Sequence, residues 1–161
     1  MKLMQKNAGF TTMELMVVIA ILAITSAIAI PNFFSWMPAK RLQSATAEVQ
    51  SALQAARLRA VKENICVTIK FDTGSDSYLM FLDNGGGDAS KACNGTQDAA
   101  EPTTKNGQLP SGVDLVSVAP QTKITFNSRG FPSDVTTVKM ETESLPARTV
   151  ELSLTGGTRI N

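Results

Sequence analysis

Hydrophobic and polar positions divide the chain into three parts, and the first part is almost entirely apolar. No charged residue lies between Glu14 and Lys40, and residues 15–30 are apolar apart from two hydroxyl side chains. The segment 10–30 has 21 residues. As a helix rising about 1.5 Å per residue it would be roughly 30 Å long, which matches the hydrocarbon thickness of a bilayer. The pattern therefore predicts a membrane-spanning helix.

The second part has the period of an amphipathic helix. Pro31 and Pro38 lie where the first helix should leave the bilayer, and because each removes a backbone donor we expect a kink or a short melted stretch there. One apolar face with many small side chains predicts close packing against a flat partner such as a β-sheet. Between Lys40 and Glu63 that face is formed by Leu42, Ala45, Val49, Leu53, Ala56 and Ala60.

After Asn64 the period changes to two, which is typical of β-strands. Residues 85–112 interrupt this pattern, since they are rich in Gly, Ala, Asn, Asp and Thr, and they predict a long surface loop. A long helix followed by an antiparallel β-domain is an α+β architecture. The predicted strands are residues 65–71, 77–83, 113–118, 123–127, 136–143 and 148–155.

The amino-acid composition excludes some kinds of catalytic and metal site. The chain has no histidine and two cysteines, so neither a Cys/His metal cluster nor a Cys–His nucleophile can be built. We therefore expect neither an enzyme nor a bound metal or cofactor. Cys66 and Cys93 lie beyond the apolar segment, and they suggest either one disulfide in an oxidising compartment or two buried free thiols. A disulfide would tie the predicted loop to the first strand.

The residues before the apolar segment form a distinctive motif. Lys2 and Lys6 occur without an acidic residue, and they are followed by Gly9-Phe10-Thr11-Thr12-Met13-Glu14. This N-terminus resembles that of the type IV pilin superfamily. The resemblance implies cleavage between Gly9 and Phe10 by a prepilin peptidase on the cytoplasmic side, followed by methylation of the new amine.

The same resemblance assigns roles in assembly to Glu14 and Pro31, which match the family's glutamate and its helix-interrupting proline. Thr12 departs from the family pattern, in which leucine is more usual. The resemblance also implies a pilin fold with three regions: a leader peptide (1–9), a transmembrane and filament-core helix (10–38), and a periplasmic α+β domain (39–161). We therefore expect a single-pass protein of the inner membrane.

Placing a carboxylate inside a membrane helix costs free energy in any protein, independently of the resemblance to this family. At the helix centre the cost is about 2.5–3.5 kcal/mol on insertion scales, so Glu14 needs a partner unless it lies at the headgroup boundary. Cleavage after Gly9 would create an α-amino cation on Phe10, and the amine of a neighbouring subunit could then pair with Glu14. Such a pair would neutralise two charges in an apolar filament core and set the axial stagger between subunits.

The later chain resembles the GspH/FimT branch of the superfamily. The matching features are Ala56-Arg57 near the end of the second helix, residues 124–132, and the closing segment 150–159. The resemblance implies a minor pilin or pseudopilin, hence a structural subunit of a type IV pilus or of a type II secretion pseudopilus. It also implies the partners: other pilin or pseudopilin subunits, the prepilin peptidase, the inner-membrane assembly platform and the lipid bilayer.

A DNA-binding module is the alternative, because some FimT-type pilins take part in DNA uptake through a Gly-Arg-x-Arg element. Here Gly156-Gly157-Thr158-Arg159 keeps only the last arginine, which Arg148 and Lys139 could join in a patch. Removing the leader's two lysines from the 15 basic residues leaves 13 against 14 acidic ones. Since DNA affinity depends on several phosphate contacts, this balance does not favour DNA binding.

Residues 83–88, Asp-Asn-Gly-Gly-Gly-Asp, offer oxygen ligands of the kind that calcium prefers. Their spacing departs from the calcium-loop pattern and lacks a closing bidentate acid. We interpret the segment as a glycine-rich turn after a strand.

Overall fold

The computed structural model describes residues 9–161. The leader's Lys2 and Lys6 lie outside the described residues. The chain divides between Met37 and Pro38 into two units, and helix α1 (Thr12–Glu63) contributes to both.

The first unit is the N-terminal part of α1, and its side chains are exposed throughout residues 9–36. Phe10 is 90% exposed and Ile28 is 72% exposed. By length and composition the helix can cross a membrane. The hydroxyl of Thr25 donates to the carbonyl of Ile21 at 3.0 Å, so this polar group is satisfied within the helix, as burial in lipid requires.

The melted stretch expected at the prolines is not formed. Residues on both sides of Pro31 and Pro38 are helical, so this part of the prediction is wrong. A proline removes only one i→i−4 hydrogen bond and fixes φ close to the helical value. The bonds of the neighbouring residues are enough to continue the helix through both positions.

The second unit, residues 38–161, contains the C-terminal part of α1 and eight strands in two four-stranded antiparallel sheets. The first sheet has the order β3-β2-β1-β5, and the second has the order β4-β6-β7-β8. A 3₁₀ turn (Gly85–Gly87) follows β2. The strands are β1 (Cys66–Asp72), β2 (Ser77–Asp83), β3 (Thr103–Gln108), β4 (Asp114–Ala119), β5 (Lys123–Phe126), β6 (Thr136–Thr142), β7 (Leu145–Leu152) and β8 (Thr158–Ile160).

The core of the second unit lies between α1 and both sheets. All six residues of the predicted apolar face of α1 are buried, and Ala45, Ala56 and Ala60 have no exposed surface. Their small side chains let the helix backbone approach the strands closely. The α+β fold and the packing of the amphipathic helix on an antiparallel β-domain are therefore confirmed. From the strands the core includes Val67, Ile69, Phe71, Tyr78, Met80, Ile124, Phe126, Val138, Met140, Val150 and Leu152.

Two strands were not predicted from the sequence pattern, and each was missed for a physical reason. β3 lies within the predicted loop and reads Thr-Thr-Lys-Asn-Gly-Gln, without apolar alternation. It is an edge strand whose mostly exposed side chains contribute little to the core, and its backbone pairing with β2 holds it in place. β8 has three residues, which is too short for a period of two to be visible. β7 also begins three residues earlier than predicted and ends at Leu152.

Candidate functional site

The N-terminus of α1 is closed by a reciprocal pair of hydrogen bonds between Thr11 and Glu14. Glu14 Oε2 accepts from the backbone N–H of Thr11 at 3.0 Å and from Thr11 Oγ1 at 3.0 Å. In return, the backbone N–H of Glu14 donates to Thr11 Oγ1 at 3.2 Å. This is a capping box, in which a threonine and a glutamate three residues later satisfy each other's N–H groups. The position also places the carboxylate at the positive end of the helix dipole.

The capping box gives Thr11 a role that sequence reasoning missed. The signal was present as Thr-x-x-Glu immediately before an apolar run. Within residues 9–161, Glu14 Oε1 accepts no hydrogen bond, whereas Oε2 accepts two. One carboxylate oxygen therefore remains available to a partner from another molecule.

The predicted cleavage site lies just before the helix. Gly9 and Phe10 are outside regular secondary structure and are exposed. The first helical bond runs from the N–H of Leu15 to the carbonyl of Thr11 at 3.2 Å, so the Gly9–Phe10 peptide is not part of the helical ladder. Pro31, the other position predicted to act in assembly, is exposed within α1.

Cys66 and Cys93 form a disulfide with a Cα–Cα distance of 5.3 Å. The prediction of a disulfide is confirmed, and the alternative of two free thiols is wrong. Cys66 opens β1, whereas Cys93 lies in the segment between β2 and β3 and has a φ of 63°. Because a non-glycine residue rarely adopts this conformation, the bond holds Cys93 at a position that the local chain alone does not favour.

A buried carboxylate organises the same segment. Asp83 has no exposed surface, and its Oδ2 accepts from Thr68 Oγ1 at 2.8 Å and from the N–H of Gly95 at 2.7 Å. Its Oδ1 accepts from the N–H of Asn94 at 3.2 Å. Thr68 and Thr125 hydroxyls are 2.7 Å apart, and since the single proton of Thr68 goes to Asp83, Thr125 is the donor of this pair. The carboxylate thus joins β1, β2 and the loop directly, and it reaches β5 through the hydroxyl of Thr68.

A second acid, Glu101, binds backbone amides at two other positions of the same loop. It is 5% exposed, and it accepts from the N–H of Gly85 at 2.7 Å and from the N–H of Asp98 at 2.9 Å. Asn84 Oδ1 accepts from the N–H of Gly86 at 3.0 Å. The oxygens that suggested a calcium loop are therefore engaged by backbone amides, and residues 9–161 contain no cluster of acids or cysteines suited to a metal ion.

The three cations expected for DNA binding do not all lie on one face of the second sheet. Residues opposite each other in adjacent strands share a face, and successive residues alternate faces. Arg148 pairs with buried Met140, so it lies on the opposite face from the adjacent Lys139. Arg159 pairs with Glu151, which places a carboxylate directly beside this arginine. Lys139 pairs with residue 149 and Arg159 with residue 151, so these two cations lie on the same face, together with Glu151. The three cations therefore do not share one face, because Arg148 lies on the other.

Three motifs that are far apart in sequence meet at the C-terminal end of α1. Arg57 Nη1 donates to the carbonyl of Gly156 at 3.2 Å. A Cβ at Gly156 would lie 2.9 Å from Arg57 Nε, and a Cβ at Gly130 would lie 2.9 Å from Val61 Cγ2. Glycine is therefore required sterically where the β5–β6 and β7–β8 turns contact the helix. The Ala56-Arg57 pair and the two glycine turns form one structural unit.

The fold and the helix N-terminus define a class of protein, which is the pilin-like class. The profile described as "Prokaryotic N-terminal methylation motif" matches residues 4–30. The profile described as "Type II transport protein GspH" matches residues 45–156. Since the second match covers more than half of the chain, the chain belongs to the GspH family. This family consists of structural subunits, so the chain is not an enzyme.

Similar proteins include both pilus and secretion components. The type IV minor pilin FimU of Pseudomonas aeruginosa superposes with a TM-score of 0.58 at 16% identity, over 76% of this chain and 89% of FimU. The minor pseudopilin EpsH from the type 2 secretion system of Vibrio cholerae superposes with a TM-score of 0.55 at 15% identity, over 75% of this chain and 96% of EpsH. At these identities the likeness shows the pilin fold alone.

One curated relative matches over a shorter stretch. The type IV major fimbrial protein FimA of Dichelobacter nodosus is 39% identical over 69 residues, which are 41% of this chain and 42% of FimA. The chain thus aligns with less than half of the length of this relative. The resemblance to the GspH/FimT branch is confirmed by the family match, and the comparisons do not support the DNA-binding alternative.

Proposed function

We propose that the protein is a structural subunit of a type IV pilus or of a type II secretion pseudopilus, acting as a minor pilin or pseudopilin. The observation that carries the proposal is the division of the chain at Met37. An apolar helical segment exposed throughout residues 9–36 precedes a domain that buries its own core. A surface this apolar is stable only in a membrane or packed against other apolar helices. A filament subunit would occupy the membrane before assembly and pack against other helices after it.

Processing of the N-terminus is the first step of this proposal. The prepilin peptidase would cut between Gly9 and Phe10, and the new α-amine of Phe10 would then be methylated. The position of this bond outside the helix and its exposure support access by the enzyme. Intact-mass analysis of protein from its own host tests the step, and we expect a chain that starts at Phe10 and carries one methyl group. A mature N-terminus beyond Ala29 would contradict the proposal.

Assembly would then use Glu14. Its Oε2 is already held by Thr11, whereas Oε1 accepts no hydrogen bond from the described residues. The α-amine of a neighbouring subunit could approach Oε1 without breaking the capping box. The pair would remove two uncompensated charges from the apolar filament core, and it would favour one axial stagger between subunits.

We further propose that the protein is inserted in the inner membrane with its C-terminal domain in the periplasm. The disulfide supports this orientation, because disulfides persist in oxidising compartments. The lipid bilayer would cover the apolar helix before assembly, and the inner-membrane assembly platform would extract the subunit into the filament. In the extracted helix, Pro31 would act as the helix-interrupting proline that the family has at this position.

The decisive experiment for the proposed function is recovery in filaments. Filaments sheared from host cells that express the chain with a C-terminal tag should contain the mature protein, and a Gly9→Val variant, designed to block cleavage with a branched side chain, should remain in the membrane fraction. Deletion of the gene should reduce either piliation or type II secretion, and the affected process names the filament. Complete absence of the mature chain from sheared filaments of both kinds would contradict the proposal.

A further inference from the structure

A groove of about 530 Å³ lies at the C-terminal end of α1, within the second unit. One wall is the last two turns of the helix, with Leu58 and Val61. The other wall is formed by Arg129 in the β5–β6 turn and by the β7–β8 turn at Gly156. Its size falls in the range of roughly 300–1,000 Å³ that is usual for sites that enclose a ligand group or a few side chains.

Contacts within the second unit connect the two walls of the groove. Arg57 lines the groove and donates to the carbonyl of Gly156 at 3.2 Å. Gly156 is buried, and a Cβ there would also lie 2.9 Å from the carbonyl oxygen of Gly130. The backbones of the two turns therefore lie close together at this wall of the groove. A partner would meet a preformed site.

All ionisable side chains that line the groove are positively charged. Its ionisable lining residues are Arg57, Lys62 and Arg129, and no carboxylate lines it. The nearby Glu63 forms an ion pair with Arg59 at 2.6 Å. Within residues 9–161, none of the three lining cations forms an ion pair. The lining side chains therefore give the groove a net positive charge.

The groove is also apolar, and this property identifies the kind of occupant. Leu58 is 70% exposed and Val61 is 51% exposed, although both lie on the helix wall between the cations. A phosphate or another small anion would satisfy the cations but would leave the two aliphatic side chains in water. A peptide segment with an acidic residue next to an apolar one satisfies both features, since charge complementarity and apolar burial act together at protein interfaces.

We propose that this groove docks an acidic segment, flanked by an apolar side chain, of a neighbouring and different filament subunit. The proposal rests on the proposed function, because a subunit of a filament has such neighbours. The groove lies about 24 Å along α1 from Arg41, which is near the opposite end of the second unit.

Site-specific photo-crosslinking in the native host tests the proposal with the full chain. A photoreactive amino acid at Leu58 should crosslink to another pilin-type subunit, at a peptide that carries Asp or Glu close to the crosslinked residue. The matched control is the same amino acid at Val116, which is 40% exposed and lies on β4, at the opposite edge of the second sheet from β8. This control should give no crosslink to another pilin-type subunit.

Charge reversal then tests the cations. Lys62→Glu combined with Arg129→Glu should reduce the Leu58 crosslink about fivefold or more, because like charges across an interface oppose docking. The charge-preserving pair Lys62→Arg and Arg129→Lys should leave the crosslink unchanged. An intact disulfide on a non-reducing gel and unchanged membrane levels establish that each variant is folded.

The remaining outcomes separate this proposal from the proposed function. The groove proposal is overturned if the chain is present in filaments and the Leu58 product is no stronger than the Val116 product. It is equally overturned if the product is a second copy of this chain, a nucleic acid, or a subunit contact that charge reversal does not weaken. Absence of the mature chain from filaments would overturn the proposed function first, and the groove proposal with it.

Discussion

The N–H of Gly95 donates to Oδ2 of Asp83 at 2.7 Å, so a loop residue is bonded to a carboxylate at the end of β2. Asp83 has no exposed surface, and the disulfide between Cys66 and Cys93 lies beside it, since Cys66 and Asp83 are paired in register. A segment that looks like an unstructured loop in the sequence is thus fixed to the sheet at two adjacent points, one covalent and one polar.

The first prediction concerns this carboxylate. Asp83→Asn should lower the free energy of unfolding by about 1–3 kcal/mol, because an amide NH₂ group would replace one acceptor where only donors are present. Urea denaturation of the full chain in detergent measures the change. The control is Asp88→Asn, since Asp88 is exposed and its carboxylate accepts hydrogen bonds from Ser90 alone among the described residues. Equal stability of the Asp83 and Asp88 variants would contradict the assigned role.

The second prediction concerns the disulfide. Replacing Cys66 and Cys93 together by serine should lower the free energy of unfolding by about 3–4 kcal/mol, because the bond closes a loop with a sequence separation of 27 and restricts the unfolded chain. Limited proteolysis should then cut within residues 85–101 sooner than in the parent chain. If the loop resists protease equally in both proteins, the polar contacts of Asp83 and Glu101 are sufficient to hold it.

The third prediction concerns Gly107, over which the ring of Tyr78 lies. A Cβ at this position would overlap Tyr78 Cζ. Gly107→Ala should therefore lower the free energy of unfolding by about 1–3 kcal/mol, the usual cost of overpacking. Gly74→Ala is the matched control, because its Cβ would meet only Asp72 Oδ1, at 3.4 Å. Combining Gly107→Ala with Tyr78→Val should recover part of the loss, and additive effects of the two changes would contradict the steric explanation.

The fourth prediction is a pH dependence at high pH. The hydroxyl of Tyr78 donates to Glu48 Oε1 at 2.9 Å, and burial, together with this bond to the carboxylate, raises the pKa of Tyr78. Because the folded-state pKa lies above the unfolded value of about 10, the stabilising contribution is complete below that pH and is lost as the pH rises further. The unfolding free energy should fall above about pH 10, and it should fall less in Tyr78→Phe.

Tyr78 can be followed directly, since it is the one tyrosine of the chain. Its phenolate absorbance should rise at a higher pH in the folded protein than in the denatured protein. The variant Glu48→Gln removes the charge that faces the hydroxyl, so it should bring the folded titration closer to the denatured one. A folded phenol that titrates together with the denatured chain would refute the assigned bond.

The fifth prediction concerns assembly. Glu14→Ala should leave membrane insertion intact, because the helix becomes more apolar, and it should strongly reduce the amount of protein in sheared filaments. Thr11→Val should reduce incorporation less, since it removes the two hydroxyl contacts of the capping box and leaves the carboxylate in place. The matched control is Thr12→Val, which alters the neighbouring threonine. Normal filament incorporation of Glu14→Ala would show that the carboxylate is dispensable.

The sequence by itself determined the elements whose signals are local. The apolar segment after Glu14 was readable because its length and uniform apolarity match a membrane span, and the stripe from Leu42 to Ala60 was readable because a helix repeats its buried face at steps of three and four. Strands such as Ser77–Asp83 were readable because a half-buried strand alternates. The cleavage motif and the capping box are also local, since every residue involved lies within six positions of the others.

Only the tertiary structure decided the contacts between distant segments. β3 has no apolar alternation, because an edge strand is held by backbone pairing that any sequence can supply. The faces of Lys139, Arg148 and Arg159 depend on strand register, and a shift of one residue would reverse them. The groove at Arg57 depends on two glycine turns that lie about 70 and 100 residues later in the chain. Such proximity follows from how the core packs as a whole, and no local pattern encodes it.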